Sequence, residues 1–319
     1  MISRRTFLLA ALATPALAAE PSRRARIGWL VFGSSALGAI DKMVLDTLAQ
    51  RGLVNGDRIE IVFRHADGVT ARLAPLAEEL AALKPDILVA VGGDVVMALH
   101  DATATIPIVG AISDNPVRAG LTTTLSQPDR NFTGVTFITD EMAAKRIELL
   151  KEVAPETKRV GVIWNPQHLD DEMTFAKRGA DSLGLSLTSH PIDSPSAVEQ
   201  ALRDATAQDA DSLFVIPSRL TTVVSGRIAT YASEHRLPVI AAWREFVDSG
   251  CLLSYGPSRL NESRRITAYI ERILAGAKPA SLPIEQPNKF ELVVNLKTAK
   301  ALGIAIPQSV MVRADEVIE

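Results

Sequence analysis

The chain has 319 residues, 47% of them hydrophobic and 22% charged, with a formal net charge of −3. That balance fits a globular protein long enough for two domains, and it gives no electrostatic case for nucleic acid or an anionic membrane as partner. A single cysteine, Cys251, excludes an internal disulfide; within the apolar run Cys251-Leu252-Leu253 it reads as a small buried hydrophobe rather than a thiol nucleophile.

Residues 1–18, MISRRTFLLAALATPALA, combine a charged start, an apolar run from Phe7 to Ala13 and the small-residue triplet Ala16-Leu17-Ala18. This is the pattern of a secretory signal peptide cleaved near Ala18. The apolar run is too short for a membrane span and is broken by Thr14-Pro15. Paired Arg4-Arg5 ahead of Thr6-Phe7-Leu8 also matches a twin-arginine export signal, although a Sec signal carries a charged start too. The mature chain is expected in the bacterial periplasm.

From Arg26 onward, short β-branched runs alternate with amphipathic stretches. Strands are predicted at 26–31, 59–63, 87–91, 107–111 and 133–137, with helices at 40–50 and 70–83. Helices between strands imply crossover connections and a parallel sheet. A helix over 140–153 then starts a second series. Its strands are predicted at 159–164, 185–189, 212–216, 238–241 and 251–254, and its helices at about 171–183, 196–205 and 220–235. A helix at 262–274, a proline-marked stretch from Pro279 to Pro287, a strand at 290–294 and a short helix at 297–302 are too little for a third core. The expectation is an α/β fold of two Rossmann-like lobes with parallel sheets, joined by a multi-strand hinge. One lobe takes 26–138 plus 256–278 and the other 139–255 plus 286–319, and a cleft lies between them.

No enzyme signature is present: no G-x-S-x-G elbow, no phosphate loop ending in Gly-Lys-Ser/Thr and no H-E-x-x-H. The glycines Gly28, Gly33 and Gly38 have the wrong spacing for a dinucleotide fingerprint. His65, His100, His168, His190 and His235 are scattered without metal-ligand spacing and read as surface or helix-end residues. Asp170-Asp171-Glu172 opens a helix, where favourable interaction with the helix dipole accounts for it. Neither catalysis nor a cofactor or metal is expected.

What remains is a set of polar loops at the carboxyl ends of strands, where open α/β sheets bind ligands. In the first lobe these hold Ser34-Ser35, Gly92-Gly93-Asp94 and Asp114-Asn115; in the second they hold Asn165, Ser218 and Trp243 with Glu245. Each loop alone has the ordinary composition of a turn, but six on two matched lobes describe a clasp for a small polar molecule. Ser34 and Ser35 suit a carboxylate. Asp94 reads as the N-cap of the next helix, so its corner suits an ammonium or hydroxyl. Trp243 offers either a stacking wall or a packing contact.

Several segments carry a family resemblance: Asn131–Phe137 (NFTGVTF), Trp243–Val247 (WREFV), Leu253–Ser258 (LSYGPS), Lys289–Gly303 (KFELVVNLKTAKALG) and Arg313–Ile318 (RADEVI). With these the chain resembles the substrate-binding proteins of ABC transporters, in the group of tryptophan/tyrosine-type binding proteins. The resemblance implies a type I periplasmic-binding fold acting as a monomer. It also implies a small-molecule ligand delivered to an inner-membrane permease; the leading reading of the ligand is an amino acid or related carboxylate, with an exported sensor subunit, and after it an exported α/β enzyme, as the alternative functions. Two positions depart from the family pattern. Asp94 stands where a small polar residue such as Thr is usual, and Asn115-Pro116 where Asp-Pro is usual.

Overall fold

Runs such as Ile27-Gly-Trp-Leu-Val31 and Ile87-Leu-Val-Ala-Val91 are apolar on both faces, which suits strands covered by helices on either side. A computed structural model describes residues 23–33, 37–113, 115–137, 140–168 and 170–319. The expected signal peptide, Ser34, Ser35 and Asp114 lie outside the described residues.

The first series comprises β1 (Ala25–Val31), α1 (Ala39–Gln50), β2 (Ile59–His65), α2 (Leu73–Ala82), β3 (Ile87–Val91), α3 (Gly93–Ala102), β4 (Ile108–Ile112) and β5 (Phe132–Thr136). Its strands form a parallel sheet in the order β2-β1-β3-β4-β5. The second series comprises α4 (Met142–Val153), β6 (Arg159–Trp164), α5 (Glu172–Ser182), β7 (Ser186–Pro191), α6 (Val198–Ala207), β8 (Ser212–Val215), α7 (Arg219–Val223), α8 (Ser225–Glu234), β9 (Val239–Ala241), α9 (Arg244–Asp248) and β10 (Leu253–Pro257). The chain closes with α10 (Arg259–Leu274), β11 (Phe290–Asn295), α11 (Leu296–Leu302), α12 (Gln308–Arg313) and β12 (Glu316–Ile318).

The second sheet has seven strands in the order β12-β11-β10-β9-β8-β6-β7. It is not wholly parallel, because β11 runs antiparallel to β10, pairing Leu253 with Val294 and Pro257 with Phe290. The chain enters β11 from the hinge, at the end where β10 leaves, and that direction of entry sets its orientation.

Three passages connect the lobes: between β5 and α4, between β10 and α10, and between Glu285 and β11. α10 packs on α1 and against β3, β4 and β5, so it belongs with the first sheet. The segment after it is tied to β5: Glu285 N–H donates to the Gly134 carbonyl (2.9 Å) and Thr136 N–H to the Glu285 carbonyl (2.8 Å). The passage after β10 lies at Ser258, because β10 runs on to Pro257, three residues beyond the strand end expected at 254. Gly256 explains the difference. A Cβ there would stand 2.2 Å from the Ala242 carbonyl oxygen, so the glycine lets β10 press against the end of β9 and continue through Pro257 instead of breaking.

Candidate functional site

The carboxyl ends of the two sheets face each other. At the end of β3, Gly92 has φ of +112°, a conformation open to glycine, and the turn delivers the chain straight into α3. Asp94 therefore lies inside the first turn, and Gly92 occupies the cap position without a side-chain cap bond. The expected N-cap role of Asp94 is not what the fold uses. Its carboxylate crosses the cleft instead: Oδ1 accepts from Arg219 Nε (3.1 Å) and Oδ2 from Arg219 Nη2. Arg219 opens α7 on the second lobe, and its guanidinium lies over the Phe32 ring at the end of β1. Burial presses the Arg219 pKa down, and Asp94 opposes that shift by charge and hydrogen bonding.

Two further contacts close the same gap. Ser113 Oγ, after β4, lies 2.7 Å from His168 Nε2, after β6. Arg118 Nη1 donates to Asp171 Oδ2 at 3.0 Å. His168 is far from a surface residue: its Nδ1 is 2.5 Å from Asp170 Oδ2, and both side chains are about nine-tenths buried. His190 is buried too, and burial lowers its pKa. The acidic cluster likewise does more than face a helix dipole. Glu172 forms a buried ion pair with Arg146 of α4 (2.6 Å), and Arg146 Nε donates to the Tyr255 carbonyl at the end of β10. This pair braces the second lobe beside the hinge.

At the hinge side Trp243, just after β9, is buried and stands edge-on to Phe137, just after β5, with ring centroids 6.1 Å apart. Both rings belong to one continuous apolar cluster that includes Trp29 of the first lobe and Ile228 of the second. Arg259, in the first turn of α10, lays its guanidinium 4.0 Å from the Trp243 ring centroid and 4.7 Å from that of Phe137. Arg259 Nε lies 3.2 Å from Glu245 Oε1. Several buried polar atoms have no hydrogen-bond partner among the described residues here: Trp243 Nε1, Glu245 Oε2, Arg259 Nε, Thr136 Oγ1 and Asp140 Oδ1. Burial raises the Asp140 pKa, with a smaller push from Asp170 and Asp171. A crevice of about 470 Å³ opens between the lobes beside this cluster, with Ala39 and Met43 of α1 on one wall and Arg244, Glu245 and Glu291 on the other.

The sequence-derived residues thus divide into groups. Gly92, Gly93 and Asp94 meet the loop of Ser218 and Arg219 across the cleft, and Trp243 and Glu245 meet Arg259 and Phe137 at the hinge. Asn115, Asn165 and Ser218 are turned to their own chain. The Asn115 amide oxygen accepts from Val117 and Arg118 N–H, and the Asn165 amide oxygen accepts from Gln167 N–H. The buried Ser218 hydroxyl caps α7 by accepting from Thr221 N–H. Arg259, Phe137 and Phe32 escaped sequence reasoning. Their one signal is position, since each stands within a residue or two of a strand's carboxyl end.

Two Rossmann-like lobes with a three-passage hinge and polar rims face to face define a type I periplasmic-binding fold. Residues 30–318 match the model of the ABC transporter substrate binding protein family, and the chain belongs to that family. It is a receptor for a small ligand. A tyrosine-binding protein of Clostridioides difficile is 26% identical over 276 residues, covering 84% of this chain and 78% of that protein. A domain protein from Vibrio cholerae shares 28% identity with a TM-score of 0.84, covering 92% of this chain and 100% of its own. An ABC domain from Streptococcus pneumoniae in complex with L-Trp gives 26% and 0.83 with the same coverage. The ligand-free, open structure of a substrate binding protein with adhesive properties from Clostridium difficile also gives 26%, covering 92% of this chain and 99% of its own, but its TM-score is 0.67. At equal identity, the lobes stand nearer to the L-Trp complex than to the open form, in keeping with the three contacts across the cleft.

Proposed function

We propose that this chain is the exported receptor of an ABC importer, that it captures an α-amino acid in the interlobe cleft, and that its closed form presents the ligand to an inner-membrane permease. The observation that carries the reading is the closure itself, in which loops from the carboxyl ends of both sheets meet through Asp94–Arg219 and Ser113–His168. A ligand touching both rims stabilises that state over the open one. The amino-acid class draws support from the relatives that bind tyrosine and L-Trp.

In this reading Ser34, Ser35 and Asp114 join Gly92, Gly93 and Asp94 on the first rim. Trp243 and Glu245 serve the second, while Asn115, Asn165 and Ser218 shape their loops. The moving bodies change over near residues 138, 258 and 286, and the protein works as a monomer that releases its ligand unchanged. Export uses residues 1–18, and N-terminal sequencing of the secreted protein checks cleavage near Ala18.

The functional test is thermal unfolding of the mature protein against a panel of twenty amino acids, aromatic acids, sugars and purines. A cognate ligand at a thousand times its Kd stabilises the protein by about 4 kcal/mol. The expected result is stabilisation by one or a few amino acids. Stabilisation by a sugar or purine alone refutes the ligand class, and the absence of any stabiliser refutes the receptor reading.

A further inference from the structure

Arg259 is a guanidinium in an unusual state. Its side chain is 9% exposed, its Nε is buried without a hydrogen bond among the described residues, and two aromatic rings hold its plane in place. A buried guanidinium ordinarily satisfies its fork of N–H donors with a carboxylate or with carbonyls. Here Glu245 approaches at 3.2 Å, yet the Nε–H does not point at it, and the second oxygen of Glu245 is itself buried without a partner. Both side chains line the interlobe crevice of about 470 Å³, a volume within the usual range for small-molecule sites. A guanidinium whose Nε–H is unsatisfied and a carboxylate whose Oε2 is unsatisfied stand side by side at one cavity. That is the complement of a zwitterion.

We propose that Arg259 and Glu245 form the head-group clamp of the receptor, with Arg259 taking the ligand's α-carboxylate through its planar fork and Glu245 Oε2 taking the ammonium. The proposal rests on the amino-acid reading above and adds which residues set the selectivity. Trp243 and Phe137 are positioning residues that fix the fork, so the carboxylate meets an oriented pair of donors rather than a mobile charge. The carboxylate role read from sequence at Ser34 and Ser35 thereby passes to Arg259. Arg259 opens α10 on the first lobe and Glu245 lies in α9 on the second, so the clamp spans the hinge.

The test uses calorimetry with the mature protein, with L-tryptophan and L-tyrosine, their carboxamides, and 3-indolepropionate as probes. Wild type is expected to bind a free amino acid at least roughly 100-fold more tightly than its amide, the loss typical when a buried charge is left without its partner. Arg259→Gln is expected to lose that factor for the free acid while binding the amide within a few-fold of wild type. Arg259→Lys, which keeps the charge but not the fork, is expected to fall between them. It also carries the test should the glutamine variant fail to fold, with circular dichroism as the check. Glu245→Gln should lose discrimination between L-tryptophan and 3-indolepropionate. If folded Arg259 variants keep the full acid-to-amide ratio, the clamp is refuted and the receptor reading stands. If wild type binds no amino acid but binds another solute, the clamp and the amino-acid reading both fall.

Discussion

Replacing Asp94 by Asn removes one charge from a pair that joins the two lobes. In the closed arrangement Arg219 gives Asp94 two hydrogen bonds, from Nε and Nη2, and also lies over Phe32. The pair is only partly shielded, with side chains 26% and 37% exposed for Arg219 and Asp94, so screening by water limits its worth. Two charge-assisted bonds at that exposure amount to about 1 to 2 kcal/mol of preference for the closed state. This corresponds to a factor of roughly 5 to 30 in the closing equilibrium, and the same factor enters ligand affinity wherever the open state predominates. Asp94→Asn and Arg219→Gln are each expected to weaken binding by that factor. The double variant should be no weaker than Arg219→Gln alone, since that change already breaks the pair together with the contact to Phe32. Calorimetry on the four proteins measures the coupling, and scattering without ligand reports the open fraction. The loss should shrink as salt is raised. Additive losses in the double variant, or an affinity unchanged within twofold, refute the latch.

Other consequences concern stability and reactivity. Burial raises the Asp41 pKa to about 6, against a smaller lowering from its bond to Trp29 Nε1 and from the Arg259 charge. The folded state therefore keeps a proton that the unfolded chain releases between pH 3.8 and about 6, so unfolding free energy falls as pH rises through that window. The full span is worth about 3 kcal/mol; Asp41→Asn keeps the acceptor for Trp29, should flatten the profile in denaturant titrations, and should exceed wild type in stability at pH 7. Gly134→Ala should cost at least roughly 3 kcal/mol by the same assay, because φ is +143° and a Cβ would stand 2.0 Å from the Gly110 carbonyl oxygen. Cys251 is 1% exposed with its thiol pKa pushed up to about 12 by burial. A thiol reagent at pH 8 should label it at the rate of unfolding and no faster.

The alternation of strands and helices was legible because each strand is a short apolar β-branched run and each helix carries a one-sided stripe; β3 begins and ends where Ile87–Val91 does. Two matched lobes followed from that alternation. Side-chain partners were less legible, since they are separated by distances no local pattern encodes. Asp94 has the composition of a cap, but the backbone at Gly92 moved the helix start two residues early. The carboxylate then found Arg219, 125 residues away. The buried pairing of Glu172 with Arg146 and that of His168 with Asp170 were hidden for another reason: charged residues near helix starts read as solvated until a fold encloses them. The reversed direction of β11 was unreadable too, as strand polarity depends on where the chain re-enters the sheet.

The order in which the chain crosses the hinge governs how the protein can come into being. α10, which covers β3, β4 and β5, is encoded at Arg259–Leu274, and the strap that hydrogen-bonds to β5 ends at Glu285. During synthesis the first sheet must therefore wait, with one face covered by α1 alone, until almost nine-tenths of the chain has been made; β11 and β12 keep the second sheet waiting still longer. Neither lobe is a finished folding unit on its own, and contacts this distant in sequence make for slow, late folding. A nascent chain ending at Ser254 is thus expected to be a target for chaperones and proteases rather than half a receptor, and only the last 35 residues or so let both lobes complete together.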